Sequence, residues 1–108
     1  VIAEGTPPNP EWLRAQKLTE IVAHVRASVQ AHARTRFNNE VVVQRVNLDS
    51  IMPGNAVALG HVLWMCDEIA VFIREKRLEK ADRWIGFMQG VLWLTGVASI
   101  DESREINR

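Results

Sequence analysis

The stretch Trp84-Ile85-Gly86-Phe87-Met88-Gln89-Gly90-Val91-Leu92-Trp93-Leu94 sets apolar residues around the whole circumference of a helix, with Gln89 its one clearly polar side chain. A helix that is apolar all round has to be buried on every side. A chain of 108 residues buries a smaller fraction of its surface than a large domain does. The stretch therefore predicts a tightly packed helical core and points to a second subunit that covers what one copy leaves bare.

Hydrophobic residues make up 47% of the chain and charged residues 24%, which is the composition of a folded globular protein rather than a disordered one. Lys and Arg together number 13 and are balanced by 13 Asp and Glu, so no global field draws the chain onto nucleic acid or an anionic membrane. The single cysteine, Cys66, rules out an internal disulfide, and its apolar helical setting predicts a reduced, buried thiol in a cytoplasmic protein. The apolar run over residues 56–73 is interrupted by His61, Asp67 and Glu68, and the run over residues 84–94 is too short to span a bilayer. A soluble protein with no membrane partner is expected. No signal-peptide pattern follows Val1-Ile2-Ala3.

Residues 1–8, with Gly5 and the Pro7-Pro8 pair, lack periodicity and read as an extended arm; residues 9–108 read as one helical domain. Asn9-Pro10-Glu11 is a helix start, with Asn9 placed to cap, Pro10 where its missing N–H costs nothing, and Glu11 at the positive end of the dipole. Leu18, Ile21, Val22, Val25 and Val29 then form a stripe of helical period, carrying the helix to about Thr35. Asn38-Asn39 marks a turn. Val41-Val42-Val43, Val46 and Leu48 form the one β-prone stretch, an extended connection or, alternatively, a strand that pairs with its copy in another subunit.

After Pro53-Gly54-Asn55 a second helix is expected over about residues 56–78, with Leu59, Val62, Leu63, Cys66, Ile69, Ala70 and Ile73 in one stripe. A bend near Leu78 leads to a third helix over roughly residues 79–95, in which Glu79 and Arg83 are spaced to pair, and Gly96 is its left-handed cap. Ser99-Ile100-Asp101-Glu102 matches a capping box before a short terminal helix. The fold class is all-α, a bundle of three to four helices.

Gly86 and Gly90 form a small-residue ridge, with Gly60 available on the preceding helix, and each glycine costs a helix about 1 kcal/mol relative to Ala. That cost implies close packing, within one protomer or between protomers. Trp84 and Trp93 fall on different sides of their helix, so one side belongs to the core and the other to an interface. The expected oligomer interface comprises Trp64, Trp84, Gly86, Gly90 and Trp93.

Chemistry-bearing clusters are few. His24, His32 and His61 offer no pair at metal-ligand spacing, so no metal or other cofactor is implied, and the apolar neighbours of Cys66 raise rather than lower its pKa. No acid–base pair, nucleophile elbow or phosphate loop is visible, which makes an enzyme the weakest class. Arg26, His32, Arg34, Arg36 and Arg45 make the end of the first helix and the following loop basic. Arginine's planar fork suits phosphate, whereas the alternative is a solvated helix end complementing its own dipole.

The block Arg83-Trp84-Ile85-Gly86-Phe87-Met88-Gln89-Gly90-Val91-Leu92-Trp93, followed by Gly96, Ser99-Ile100-Asp101-Glu102, Arg104 and Asn107-Arg108, resembles one carried by a family of small phage and prophage proteins. With His61-Val62-Leu63-Trp64-Met65 the resemblance extends over about half of the chain. It implies phage origin and a helical fold, and it transfers no catalytic residue. The function expected on all these grounds is that of a non-enzymatic, homo-oligomeric phage accessory protein in the host cytoplasm. It would bind a host factor or a small phosphate-bearing, nucleotide-like ligand through Arg26, Arg34 and Arg36, and so counter host defence signalling. A nucleic-acid-associated helper and a structural assembly subunit are the alternatives.

Overall fold

The computed structural model describes residues 9–108, and the arm expected over residues 1–8 lies outside them. The described residues form four helices, α1 (Pro10–Arg36), α2 (Asn55–Arg74), α3 (Leu78–Leu94) and α4 (Ile100–Asn107). α2 is the central element, packing against α1 on one side and α3 on the other, while α4 folds back onto α1 and α3.

The starts of α1 and α4 follow from local chemistry, whereas α2 and α3 begin without a side-chain cap. The Asn9 side chain accepts from the backbone N–H groups of Glu11 at 2.8 Å and Trp12 at 3.3 Å, which fills two donors that the first turn leaves open. At α4 the Ser99 hydroxyl accepts from Glu102 N–H at 3.1 Å and itself donates to the Glu102 carboxylate at 3.3 Å. The stripe on α1 is the buried face: Leu18, Ile21, Val22, Val25 and Val29 are all in the core, joined by Ala33. Against them α2 sets Leu59, Val62, Leu63, Met65, Cys66, Ile69 and Phe72, and α3 adds Ala81, Ile85, Met88 and Leu92. Each large side chain so buried contributes about 1.5–3 kcal/mol. By length and composition α2 is apolar enough to cross a membrane, but 56% of that window is buried inside the bundle, where it serves as the core helix.

α2 stops at Arg74, four residues short of the expected end. Lys76 adopts a left-handed φ of 61°, its N–H bonds Ile73 C=O at 3.1 Å, and Arg77 N–H reaches back to Phe72 C=O at 2.8 Å. These two bonds close the helix with a Schellman motif that has lysine where glycine is usual. The same closure ends α3, there with the expected Gly96 at φ 78°, Gly96 N–H on Trp93 C=O and Val97 N–H on Leu92 C=O.

The β-prone connection makes no strand among the described residues. A lone extended segment has no edge to pair with inside one copy, and its backbone bonds α2 instead. Gln44 N–H donates to Gly60 C=O at 3.2 Å and Val46 N–H to His61 Nδ1 at 3.0 Å. Residues 42–46 thus form a strap across the first turns of α2.

α3 is not buried on every side. Its inner face meets α1, α2 and α4, whereas Phe87, Trp93 and Leu94 are 59%, 56% and 75% exposed on the outer face. Gly86 and Gly90 lie there too, and a Cβ on either would meet nothing within 4 Å. Three helices of one chain cover only the inner half of α3. The expected Glu79–Arg83 pair is not among the ion pairs of the described residues, where Arg14 of α1 instead reaches Asp82 of α3.

Candidate functional site

Gly60 is the residue that seats the strap. A Cβ there would lie 2.1 Å from the Val42 carbonyl oxygen, so only glycine lets the strap backbone approach α2 this closely. One turn of strap beyond that contact, Arg45 is held with its guanidinium 5.4 Å from the Trp64 ring centroid, a cation–π arrangement. The helix positions then do the rest. Trp64 of α2 stacks at a tilt on His61 at 5.2 Å and on Trp84 of α3 at 5.9 Å, and Phe72 meets Trp84 edge-on at 4.8 Å.

Between the strap, α2 and α3 lies a cavity of about 300 Å³. Its walls are Trp64, Met65, Trp84, Phe87 and Leu48, and its polar groups come from Arg45, His61 and Arg83. Among the described residues no carboxylate lines it. Neither Arg45 nor Arg83 enters an ion pair among the described residues, so no carboxylate there occupies either guanidinium fork. By contrast, the 280 Å³ hollow between the start of α1 and the α2–α3 turn is lined by Glu11 as well as Arg74 and Lys76, and its charges are mixed.

Burial, and after it the Arg45 guanidinium, hold the His61 ring below the ordinary histidine range of 6.5. The ring is therefore neutral at pH 7. Because Nδ1 accepts the Val46 N–H, the proton sits on Nε2. Cys66 is fully buried, and burial pushes its thiol up to about 11; its Sγ lies 3.7 Å from Met88 Sδ. A thiol so placed is neither nucleophile nor ligand at neutral pH. Among the described residues no three His, Cys, Asp or Glu side chains gather at metal-binding distance.

The arginines picked out by sequence lie elsewhere. Arg26 is engaged by Asp67 at 2.9 Å, a bridge that ties α1 to α2. Arg34 and Arg36 are exposed in the last turn of α1, beside its negative dipole end. None of the three lines the aromatic cavity. Of the residues expected at an oligomer interface, Trp64 and Trp84 are half-buried and line the cavity, and Trp93, Gly86 and Gly90 lie on the outer face of α3.

Arg83 and His61 were missed as partners of the tryptophans because the cavity draws on three separate elements. The antiparallel α2–α3 hairpin brings Trp64 and Phe72 to Trp84, and that pairing is predictable once the turn is placed at residues 75–77 rather than near Leu78. Compared with known proteins, the chain matches no family model, no curated protein and no solved structure.

Proposed function

We propose that this chain is a non-enzymatic binding protein that takes up a small phosphate-bearing ligand in the cavity between the strap, α2 and α3. One observation carries the reading: two guanidinium groups that form no ion pair among the described residues stand on an apolar, aromatic-walled cavity. Guanidinium forks that no carboxylate occupies attract phosphate through charge-assisted, bidentate hydrogen bonds. Among the described residues the cavity lining holds no Ser, Thr, Cys, Lys, Asp or Glu side chain to serve as a nucleophile. The carboxy-terminal resemblance suggests the setting, a phage accessory protein in the host cytoplasm that withdraws a small molecule used in defence signalling.

Assembly is part of the same proposal. The outer face of α3 exposes Phe87, Trp93 and Leu94 around two open glycines, and a contiguous exposed apolar patch favours self-association.

Titration calorimetry with inorganic phosphate and a mononucleotide tests the binding reading. Arg45→Gln and Arg83→Gln should each weaken uptake by about 10- to 100-fold, the worth of one charged hydrogen-bonding group. Arg34→Gln and Arg36→Gln should leave it unchanged; the reverse pattern would move the site to the end of α1. Absence of binding by every phosphate compound at millimolar concentration would overturn the proposal.

A further inference from the structure

We infer that the ligand of this cavity is a planar aromatic ring carrying its phosphate on a short arm, the size and chemistry of a mononucleotide; the inference rests on the anion-binding reading above and goes one step further.

The lining is chemically one-sided. Arg45 and Arg83 present guanidinium N–H groups, and Trp64 and Trp84 have indole N–H groups. His61 has only its Nε2–H to offer, since Nδ1 is occupied by Val46. Every polar side-chain atom of the wall is therefore a donor, apart from that occupied nitrogen. The part of a ligand that meets this wall directly is matched by acceptors, as phosphate oxygens and ring nitrogens or carbonyls are. A free sugar or an amine brings neither an anion for the arginines nor a flat ring for the indoles, whereas the ribose hydroxyls and any ring amino group of a nucleotide can stay in water at the mouth, where Arg45, Leu48, Arg83 and Phe87 are exposed.

The remaining surface is aromatic and thioether, from Trp64, Trp84, Phe87 and Met65. Indole faces bind flat rings by stacking, each stack adding about 1–3 kcal/mol. Inorganic phosphate would satisfy the arginines and leave this surface wet. Volume sets the upper bound: about 300 Å³ is the small end of the range that holds a small molecule, enough for one ring system inside with its phosphate at the arginines, and too little for two stacked nucleotides.

The test compares adenosine 5′-monophosphate with its two halves, adenosine and ribose 5-phosphate, by calorimetry and tryptophan fluorescence on the full chain. The whole nucleotide should bind at least 10-fold more tightly than either half, and it and adenosine should quench the indole emission while ribose 5-phosphate does not. Arg83→Gln, at an exposed position, should weaken the nucleotide and ribose 5-phosphate by the same factor and leave adenosine unaffected. Ribose 5-phosphate binding as tightly as the nucleotide, without quenching, would overturn the ring requirement and leave anion capture standing. Adenosine binding as tightly as the nucleotide would overturn the phosphate arm. Failure of all three to bind would remove both readings together.

Discussion

Gln89 of α3 and Asn107 of α4 exchange amide hydrogen bonds, Gln89 Nε2 donating to Asn107 Oδ1 at 2.7 Å and Asn107 Nδ2 donating to Gln89 Oε1 at 3.0 Å. The one clearly polar residue of the apolar stretch over residues 84–94 is thus an interhelical clasp. Gln89 is buried and Asn107 exposed. Removing the exposed partner therefore strands a buried amide. Asn107→Ala should cost about 1–3 kcal/mol in urea denaturation and loosen α4. Gln89→Met in the Asn107→Ala background should restore part of the loss, because no buried amide is then left unpaired. Equal stability of Asn107→Ala and the wild type would mean that the clasp contributes nothing.

The left-handed Lys76 that ends α2 makes a second expectation. Holding a side chain at φ 61° costs about 1–2 kcal/mol relative to glycine, part of which glycine returns through its freer unfolded chain. Lys76→Gly should therefore raise stability by about 0.5–1 kcal/mol, read as an upward shift in thermal midpoint. A destabilised variant would show that Lys76 makes a contact worth more than its backbone strain.

How far the sequence reveals this molecule depends on whether the deciding physics is local. Asn9-Pro10, the Ser99–Glu102 box and Gly96 announce helix ends through bonds within one turn, and each end lies where those residues put it. The end of α2 is hidden because Lys76 performs glycine's role without glycine's signature. Val41-Val42-Val43 has strand propensity, but propensity forms no strand without an edge, and just beyond it Gly60 and His61 accept from the Gln44 and Val46 N–H groups instead. The three glycines look alike in the sequence. Only the fold distinguishes Gly60, pressed by the Val42 carbonyl, from Gly86 and Gly90, which face open space. The cavity was least legible of all, since Arg45, His61, Trp64 and Arg83 converge only after the strap and the hairpin have formed.

His61 ties the strap to pH. Its folded pKa is depressed below 6.5 by burial and by Arg45, so at pH values near and below 6.5 the unfolded chain binds the proton more readily than the folded one. Stability is then present in full above the unfolded pKa and is lost as pH falls through the folded pKa. Protonating Nδ1 also abolishes the acceptor for Val46 N–H. Hydrogen exchange at the Val46 and Gln44 amides, corrected for intrinsic rate, should accelerate between pH 7 and pH 5 ahead of the α2 core amides. Uniform protection across that window would sever the strap from the state of His61.

The seat of the strap is open to a direct comparison of glycines. Gly60→Ala gains about 1 kcal/mol of helix propensity but drives a methyl group against the Val42 carbonyl oxygen at 2.1 Å. Backbone gives way only by lifting the strap. The variant should lose the protection of Val46, and with it the Arg45 contribution to phosphate binding, while α2 itself remains helical by circular dichroism. Retention of both would show that the strap adjusts without leaving α2.

On the outer face of α3 the same substitution has the opposite expectation, and it separates a lone copy from an assembly. A Cβ on Gly90 meets nothing within 4 Å in one copy, so Gly90→Ala should stabilise a monomer by about 1 kcal/mol. If a second copy packs its own α3 against this face, the added methyl group stands where two backbones approach, and association weakens instead. Trp93→Glu, also outside the cavity, places a charge in the centre of the same apolar surface and should dissociate an assembly without disturbing the fold or ligand uptake. Analytical ultracentrifugation over a range of concentrations reads both. A wild-type chain that stays monomeric at high concentration, and a Gly90→Ala variant that is simply more stable, would establish that Phe87, Trp93 and Leu94 face water in the working protein.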